Sequence, residues 1–103
     1  MAAVDLTDLN YSNGGAVYAK SGIATTWQEM KIPKWAHLVT IQPTSQAIYF
    51  QYDATDGAAV GAQRFPQAVD SIIQYNPRQT STAIRSIFVA AQTGTSTVYF
   101  VFE

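Results

Sequence analysis

The sequence predicts an all-β fold, a single antiparallel β-sandwich of the jelly-roll type with about eight strands. Short runs rich in β-branched and aromatic residues alternate with clusters of Gly, Pro, Asn, Asp and Ser along the 103-residue chain. A chain of this length can build one modest core. It contains no cysteine, so packing without disulfides must hold that core together.

Two parts of unequal size are expected. Residues 1–15, here called the arm, end in Tyr11-Ser12-Asn13-Gly14-Gly15, whose Asn and Gly residues favour a turn or a flexible connection. Residues 16–103 form the sandwich. The sequence therefore predicts one domain preceded by a flexible N-terminal arm.

The strands follow from period-two patterns and from the breaks between them. We predict strands at residues 16–23, 26–32, 36–42, 47–52, 58–63, 69–75, 84–91 and 96–102. Consecutive strands with short connections are expected to pair as hairpins. This predicts three pairs: 16–23 with 26–32, 36–42 with 47–52, and 84–91 with 96–102.

The last predicted strand is apolar on both faces. Val98, Phe100 and Phe102 alternate with Thr97, Tyr99 and Val101. An exposed edge of this composition would promote aggregation. We therefore expect residues 96–102 to lie in the middle of a sheet or to be covered by another subunit, and we expect Val39 and Ile41 to face the core.

Charged residues are scarce. They make up 13% of the chain, against about 25% in an average soluble domain. Uncharged polar side chains suit the solvent face of strands, but they protect a small domain poorly against association. The composition favours permanent assembly. The net charge of −1 and the scattered basic residues predict no nucleic-acid partner.

Residues that could support catalysis or metal binding are few. His37 is the only histidine, so a multi-histidine metal centre is excluded, and a small hydrolase would need a carboxylate and a hydroxyl to converge on its ring. The segment that contains Asp53, Asp56 and Gly57 does not have the order of ligands found in a calcium-binding loop. Its composition predicts a turn instead. We predict a non-enzyme with no catalytic residue, cofactor or metal.

No apolar run is long enough to span a membrane, and the N-terminus, Met1-Ala2-Ala3-Val4-Asp5, lacks the features of a signal peptide. The sequence therefore predicts no membrane partner and synthesis in a cytoplasm.

Aromatic and apolar side chains are the remaining candidates for binding. Tyr and Trp provide large contact areas at low entropic cost in subunit interfaces. The candidate interface residues are Tyr11, Trp27, Trp35, Tyr99 and Val101. A carbohydrate-binding module is an alternative, and it would need several aromatic rings exposed in a row, drawn from Tyr11, Tyr18, Trp27, Trp35, Tyr49 and Tyr75.

Three segments carry a family resemblance. They are the run from Trp27 to Ile41, with Ile32-Pro33 at its centre, the run Asp56-Gly57-Ala58-Ala59-Val60-Gly61, and the end Thr95-Ser96-Thr97-Val98-Tyr99-Phe100-Val101-Phe102. In these the chain resembles small β-sandwich virion proteins of tailed bacteriophages, especially capsid decoration or cement proteins. The resemblance spans most of residues 16–103 and contains no catalytic motif.

The resemblance implies a structural subunit of the virion, made in the host cytoplasm, that binds and stabilises the head shell. The implied partners are the major capsid protein and other copies of this chain, for instance as a trimer at local threefold positions with the arm reaching a neighbour. A phage tail, connector or fibre subunit remains an alternative within virions.

Overall fold

A computed structural model describes residues 3–10, 15–52, 64–77 and 85–103. All regular secondary structure in these residues is β-strand. The strands are β1 (Val4–Asp5), β2 (Ala16–Ile23), β3 (Gln28–Lys31), β4 (Val39–Pro43), β5 (Ile48–Tyr52), β6 (Phe65–Gln67), β7 (Ile73–Tyr75), β8 (Ser86–Ala91) and β9 (Ser96–Phe102).

The strands form two sheets. One has five strands in the order β1-β3-β8-β5-β6, and the other has four in the order β2-β9-β4-β7. All neighbours within the sheets are antiparallel except β1 and β3, which are parallel. The prediction of an all-β, mainly antiparallel sandwich is confirmed.

The three predicted hairpins are wrong. β2 pairs with β9 and β3 with β8, while β4 and β5 lie in different sheets, as do β8 and β9. Period-two alternation shows that a strand has an apolar face but not which strand lies beside it. Two such strands can bury their apolar faces by facing each other across a sandwich as well as by lying side by side. Consecutive strands in this chain mostly cross between the sheets.

The core lies between the inner faces of the sheets. The side chains of Val39 and Ile41 on β4 have no exposed surface, as predicted, and neither do those of Val98, Phe100 and Phe102 on β9. Opposite them, Met30, Ile48, Ile87 and Val89 of the five-stranded sheet are equally buried. β9 lies between β2 and β4, which confirms the expected central position of the last strand.

Among the predicted strands that the structure describes, the one at residues 69–75 is shortened most. Residues 58–63 lie outside the described residues. Within residues 69–75 only Ile73–Tyr75 is a strand, because the chain turns at Asp70, whose φ is +62°. The pattern gave no sign of β6, since it contains Pro66. Proline is tolerated there because β6 is the edge of its sheet.

The described part of the arm, residues 3–10, lies against the sandwich. β1 pairs with β3, the amide of Leu6 donates to the carbonyl of Lys31 at 2.8 Å, and the Leu6 side chain joins the core. The Trp35 indole Nε1 donates to the carbonyl of Leu9 at 2.7 Å. These contacts make residues 3–10 part of the packed structure.

Candidate functional site

The outward side of the four-stranded sheet is the candidate site, and we call it the outer face. Successive residues of a strand point to opposite sides of a sheet, so the pairing register of the strands determines which side chains lie together on the outer face. One row across the sheet is Val17, Val101, Thr40 and Gln74, and the next begins with Ala19, Tyr99 and Gln42. The inner residues of the same strands fill the core, so the outer residues must face away from it.

In the two rows named above, the outer face combines exposed apolar groups with an absence of charged side chains, and the exposed Glu103 lies just beyond them at the end of β9. Val17 is 67% exposed and Tyr99 is 41% exposed. Val101 lies between Val17 and Thr40, and it is two residues from Tyr99 on β9. The other members of the two rows are Ala, Thr and Gln, so none of the residues assigned to this face is charged. Exposed apolar area without surrounding charge is typical of a surface that associates with another protein.

The opposite sheet has a different outer surface. Its outward residues include Glu29 and Lys31 on β3, and the Ser86 hydroxyl donates to a Glu29 carboxylate oxygen at 2.7 Å. At the other end of that sheet, the Arg64 guanidinium lies 4.2 Å from the centre of the Tyr49 ring, a cation–π contact. Charge distinguishes the two surfaces, and it makes the four-stranded sheet the better candidate for an association surface.

The structure brings together two of the five predicted interface residues, Tyr99 and Val101, which are neighbours on one side of β9. Trp35 lies elsewhere, packed against the core with its indole bonded to Leu9. Trp27 is half-buried just before β3, in the other sheet. Tyr11 lies outside the described residues.

Two exposed apolar residues of this region were not predicted. Val17 sits beside Val101, and Ile72, which is 62% exposed, precedes β7 two residues before Gln74. A signal for Val17 was present in the sequence, because period-two alternation in β2 places it on the same side as Ala19. The exposure of Ile72 depends on the turn at Asp70, which the sequence pattern did not indicate.

His37 does not form part of a catalytic arrangement among the described residues. Its side chain is exposed, and its backbone amide donates to the carbonyl of Glu103 at 2.7 Å. No described hydroxyl or carboxylate bonds to its ring. The described residues also contain no group of three or more His, Cys, Asp or Glu that could hold a metal ion. Asp53 and Asp56 lie outside them.

The aromatic residues considered for sugar binding are not aligned as an exposed platform in the described structure. Tyr18, Trp35 and Tyr75 pack against the core, and Tyr49 is half-buried beneath Arg64. Stacking on a sugar ring needs an open aromatic face, so these four side chains are poorly placed for it.

No protein-family model matches the chain, and no curated protein or solved structure is significantly similar to it. No helix in the described part of the chain has the length and hydropathy needed to cross a membrane.

Proposed function

We propose that this chain is a structural assembly subunit that binds a protein lattice through its outer face, and specifically a decoration or cement protein of a bacteriophage head. The observation that carries the proposal is the outer face itself. It presents Val17, Tyr99 and Val101 to solvent on a regular sheet without a charged neighbour in the same rows. Such a surface has apolar contact area to bury and no charge to desolvate.

The strand order supports the proposal at the level of the fold. From the orders β2-β9-β4-β7 and β3-β8-β5-β6, with β1 added beside β3, we infer a sandwich of the jelly-roll type. Viral capsid domains and lectins are among the proteins that use this fold. Because one fold serves many functions, the fold supports a virion protein only by analogy, and the outer face supports association with another protein.

The size of the outer face favours a lattice over a single soluble partner. The four strands are together about 15 Å wide, and residues 97–101 of β9 are about 14 Å long. The projected area of this part of the outer face is therefore about 200 Å², whereas each partner in a stable complex buries about 800 Å². One such contact is weak. Many copies bound to a repeating shell hold it together collectively, because each contact raises the effective concentration of the next.

Attachment to phage heads tests the proposal. Purified protein is mixed with heads built from the major capsid protein of the same phage, and the bound fraction is measured by sedimentation. We expect binding that resists high salt, because the two rows that contain Val17, Tyr99 and Val101 carry no charged side chain. Tyr99→Lys should weaken binding at least about tenfold, since a lysine placed in the contact must be desolvated.

Val69→Lys is the matched control. Val69 is also an exposed apolar residue, but it lies in the turn between β6 and β7. This variant should bind heads as the unmodified protein does. Binding to the tail and not to the head would replace the decoration role with a tail or connector role. Glycan binding that is lost in Trp27→Ala, together with no attachment to particles, would favour the carbohydrate-binding alternative.

A further inference from the structure

The open side of β2 is determined by the hydrogen bonds of its neighbour β9. Glu103, just after β9, and Leu38 exchange backbone hydrogen bonds of 2.9 and 3.0 Å, and the amide of Thr44 donates to the carbonyl of Thr97. In an antiparallel ladder, alternate residues direct both backbone groups to the same neighbour. The odd-numbered residues of β9 therefore bond to the β4 side, and Val98, Phe100 and Phe102 bond to β2.

The register carries this alternation into β2. Ala16, Tyr18 and Lys20 lie opposite Phe102, Phe100 and Val98, so they use their backbone groups within the sheet. Val17 and Ala19 consequently point their N–H and C=O groups away from β9. No described strand pairs with that side of β2. These two residues form a short, regular row of open backbone donors and acceptors.

β2 is by far the longest edge in the described sandwich. It has eight residues, whereas the edge strands β1, β6 and β7 have two, three and three. Natural proteins protect long edges with charges and bulges. β2 carries both at its end, where Lys20 is followed by a register shift before Ile23 and by Gly22 with φ +71°. The stretch Ala16–Ala19 has neither.

We propose that β2 pairs antiparallel with β2 of a second copy of this chain, about a two-fold axis at Tyr18. This register uses the whole regular stretch from Ala16 to Lys20. Val17 of each copy lies opposite Ala19 of the other, and each such pair exchanges two backbone hydrogen bonds. The same surface serves both copies, as an isologous contact requires. The inference rests on the backbone geometry of β2 and not on the proposed function.

The charges on β2 do not oppose a second copy in this register. Lys20 lies opposite Ala16 of the other copy, so the two lysines sit at opposite ends of the paired stretch. They are about 13 Å apart along the strands, beyond the Debye length of about 8 Å at physiological ionic strength. The Tyr18 side chains face each other across the axis, and such aromatic cross-strand pairs stabilise sheets.

Pairing would extend the outer face. Two four-stranded sheets would join into one of eight strands, about 34 Å wide, with Val17 and Ala19 of both copies at its centre. The contact along one short edge is far smaller than a standard interface, so the dimer should be weak in solution. On a lattice, each pair would present twice the area that one copy presents.

Amide hydrogen exchange at individual residues tests the pairing in the unmodified protein. As the concentration rises from about 10 µM to about 1 mM, the range of weak association, exchange at Val17 and Ala19 should slow by up to about tenfold. Exchange at Tyr18 and Lys20 should not change with concentration, because their amides already bond to β9. Unchanged exchange at Val17 and Ala19 up to 1 mM, or equal slowing at all four residues, would overturn the proposal.

Sedimentation of two variants of one residue gives a second test. Ala19→Pro removes an N–H that β9 does not use, and proline is tolerated on an edge, so the folded variant should remain a monomer. Ala19→Thr keeps the N–H and should form dimers like the unmodified protein. Dimers of the proline variant, or a mass of three chains for the unmodified protein, would contradict edge pairing. If Ala19→Pro does not fold, the concentration dependence of amide exchange at Val17 and Ala19 in the unmodified protein still tests the pairing.

The two proposals can fail separately. Tyr99 lies one strand inward from the edge, so Tyr99→Lys should reduce attachment to heads and leave the concentration-dependent exchange of Val17 and Ala19 unchanged. A dimer without attachment to heads would reject the proposed function alone. Attachment without a dimer would reject only the edge pairing.

Discussion

The carboxamide of Gln67 ties the two sheets together near the turn between β6 and β7. Gln67 belongs to the five-stranded sheet, and its Nε2 donates to the carbonyl of Ile41 in the four-stranded sheet at 2.8 Å and to the carbonyl of Ser71 at 3.1 Å. The side chain is 2% exposed. Its Oε1 is buried without a hydrogen-bond partner, so the donor side of the amide accounts for its stabilising role.

Gln67→Met should lower the free energy of unfolding by about 1–3 kcal/mol, because a side chain of similar length would leave two carbonyls without this donor. Chemical denaturation measures the change. Gln74→Met is the control, since Gln74 is exposed and its bond to Thr40 is long, at 3.4 Å. That variant should change stability by less than about 0.5 kcal/mol. Equal effects of the two substitutions would show that the Gln67 bonds contribute little.

Single residues show where sequence patterns succeed and where they do not. Alternation correctly placed Val39 and Ile41 in the core, because their side chains must face away from water whichever strand is adjacent. It could not identify Gln67, since a buried polar residue is recognised only by its partners. The bond between Trp35 and Leu9 was hidden for the same reason, and Trp35 was predicted as an interface residue.

At the scale of elements, residues 3–10 are attached to the sandwich through a short polar turn next to β1. The Thr7 hydroxyl and the Thr7 backbone amide both donate to Asp5 Oδ1, at 2.6 and 3.0 Å. These two bonds lower the pKa of the Asp5 carboxyl below its ordinary value of 3.8, and the bond from the Thr7 hydroxyl has the larger effect. The positive charges of Lys31 and Lys34 lower this pKa further by a smaller amount. Leu6 enters the core between Asp5 and Thr7.

Acid should therefore loosen the attachment of residues 3–10. A carboxyl whose folded pKa is lowered stabilises the folded form above its ordinary pKa, and this contribution is lost as pH falls through the lowered value. The NMR signals of the Leu6 methyl groups and the Trp35 indole N–H should shift as pH falls below about 4. In Asp5→Asn this pH dependence should disappear.

Asp8→Asn is the control for that titration. Asp8 forms an exposed ion pair with Lys34 at 3.5 Å, and such surface pairs contribute little stability. Its spectra should follow the acid dependence of the unmodified protein. An Asp5→Asn variant that titrates in the same way would show that another group controls the attachment.

The order of strands in the sheets is the part of the fold that we could not predict from the sequence. β2 and β9 were predicted with the bounds that they have, yet each was assigned a neighbour in the wrong sheet. The four-residue connection between β8 and β9 looks like a hairpin loop. Its β8 end is instead held by other segments, since the amides of Ala91 and Gln92 donate to the carbonyls of Ala24 and Ala47.

For the whole molecule, the candidate site was predictable only in part. The low charge content and the doubly apolar β9 indicated an association surface that included Tyr99 and Val101. Its extent could not be predicted, because Val17 joins them only through the pairing of β2 with β9, two strands far apart in the sequence. A site formed by sheet order cannot be located until that order is known.

Folding speed follows from the same arrangement. Among the described strands, β5 and β6 are the only consecutive ones that pair, whereas β2 pairs with β9 and β3 with β8. The chain must close long loops before most of these contacts form, and sandwiches dominated by such pairings fold in milliseconds to seconds. Stopped-flow fluorescence of Trp27 and Trp35 should show refolding with a time constant between about 10 ms and a few seconds. Refolding within tens of microseconds, as in helical bundles, would mean that the distant pairings do not limit the rate.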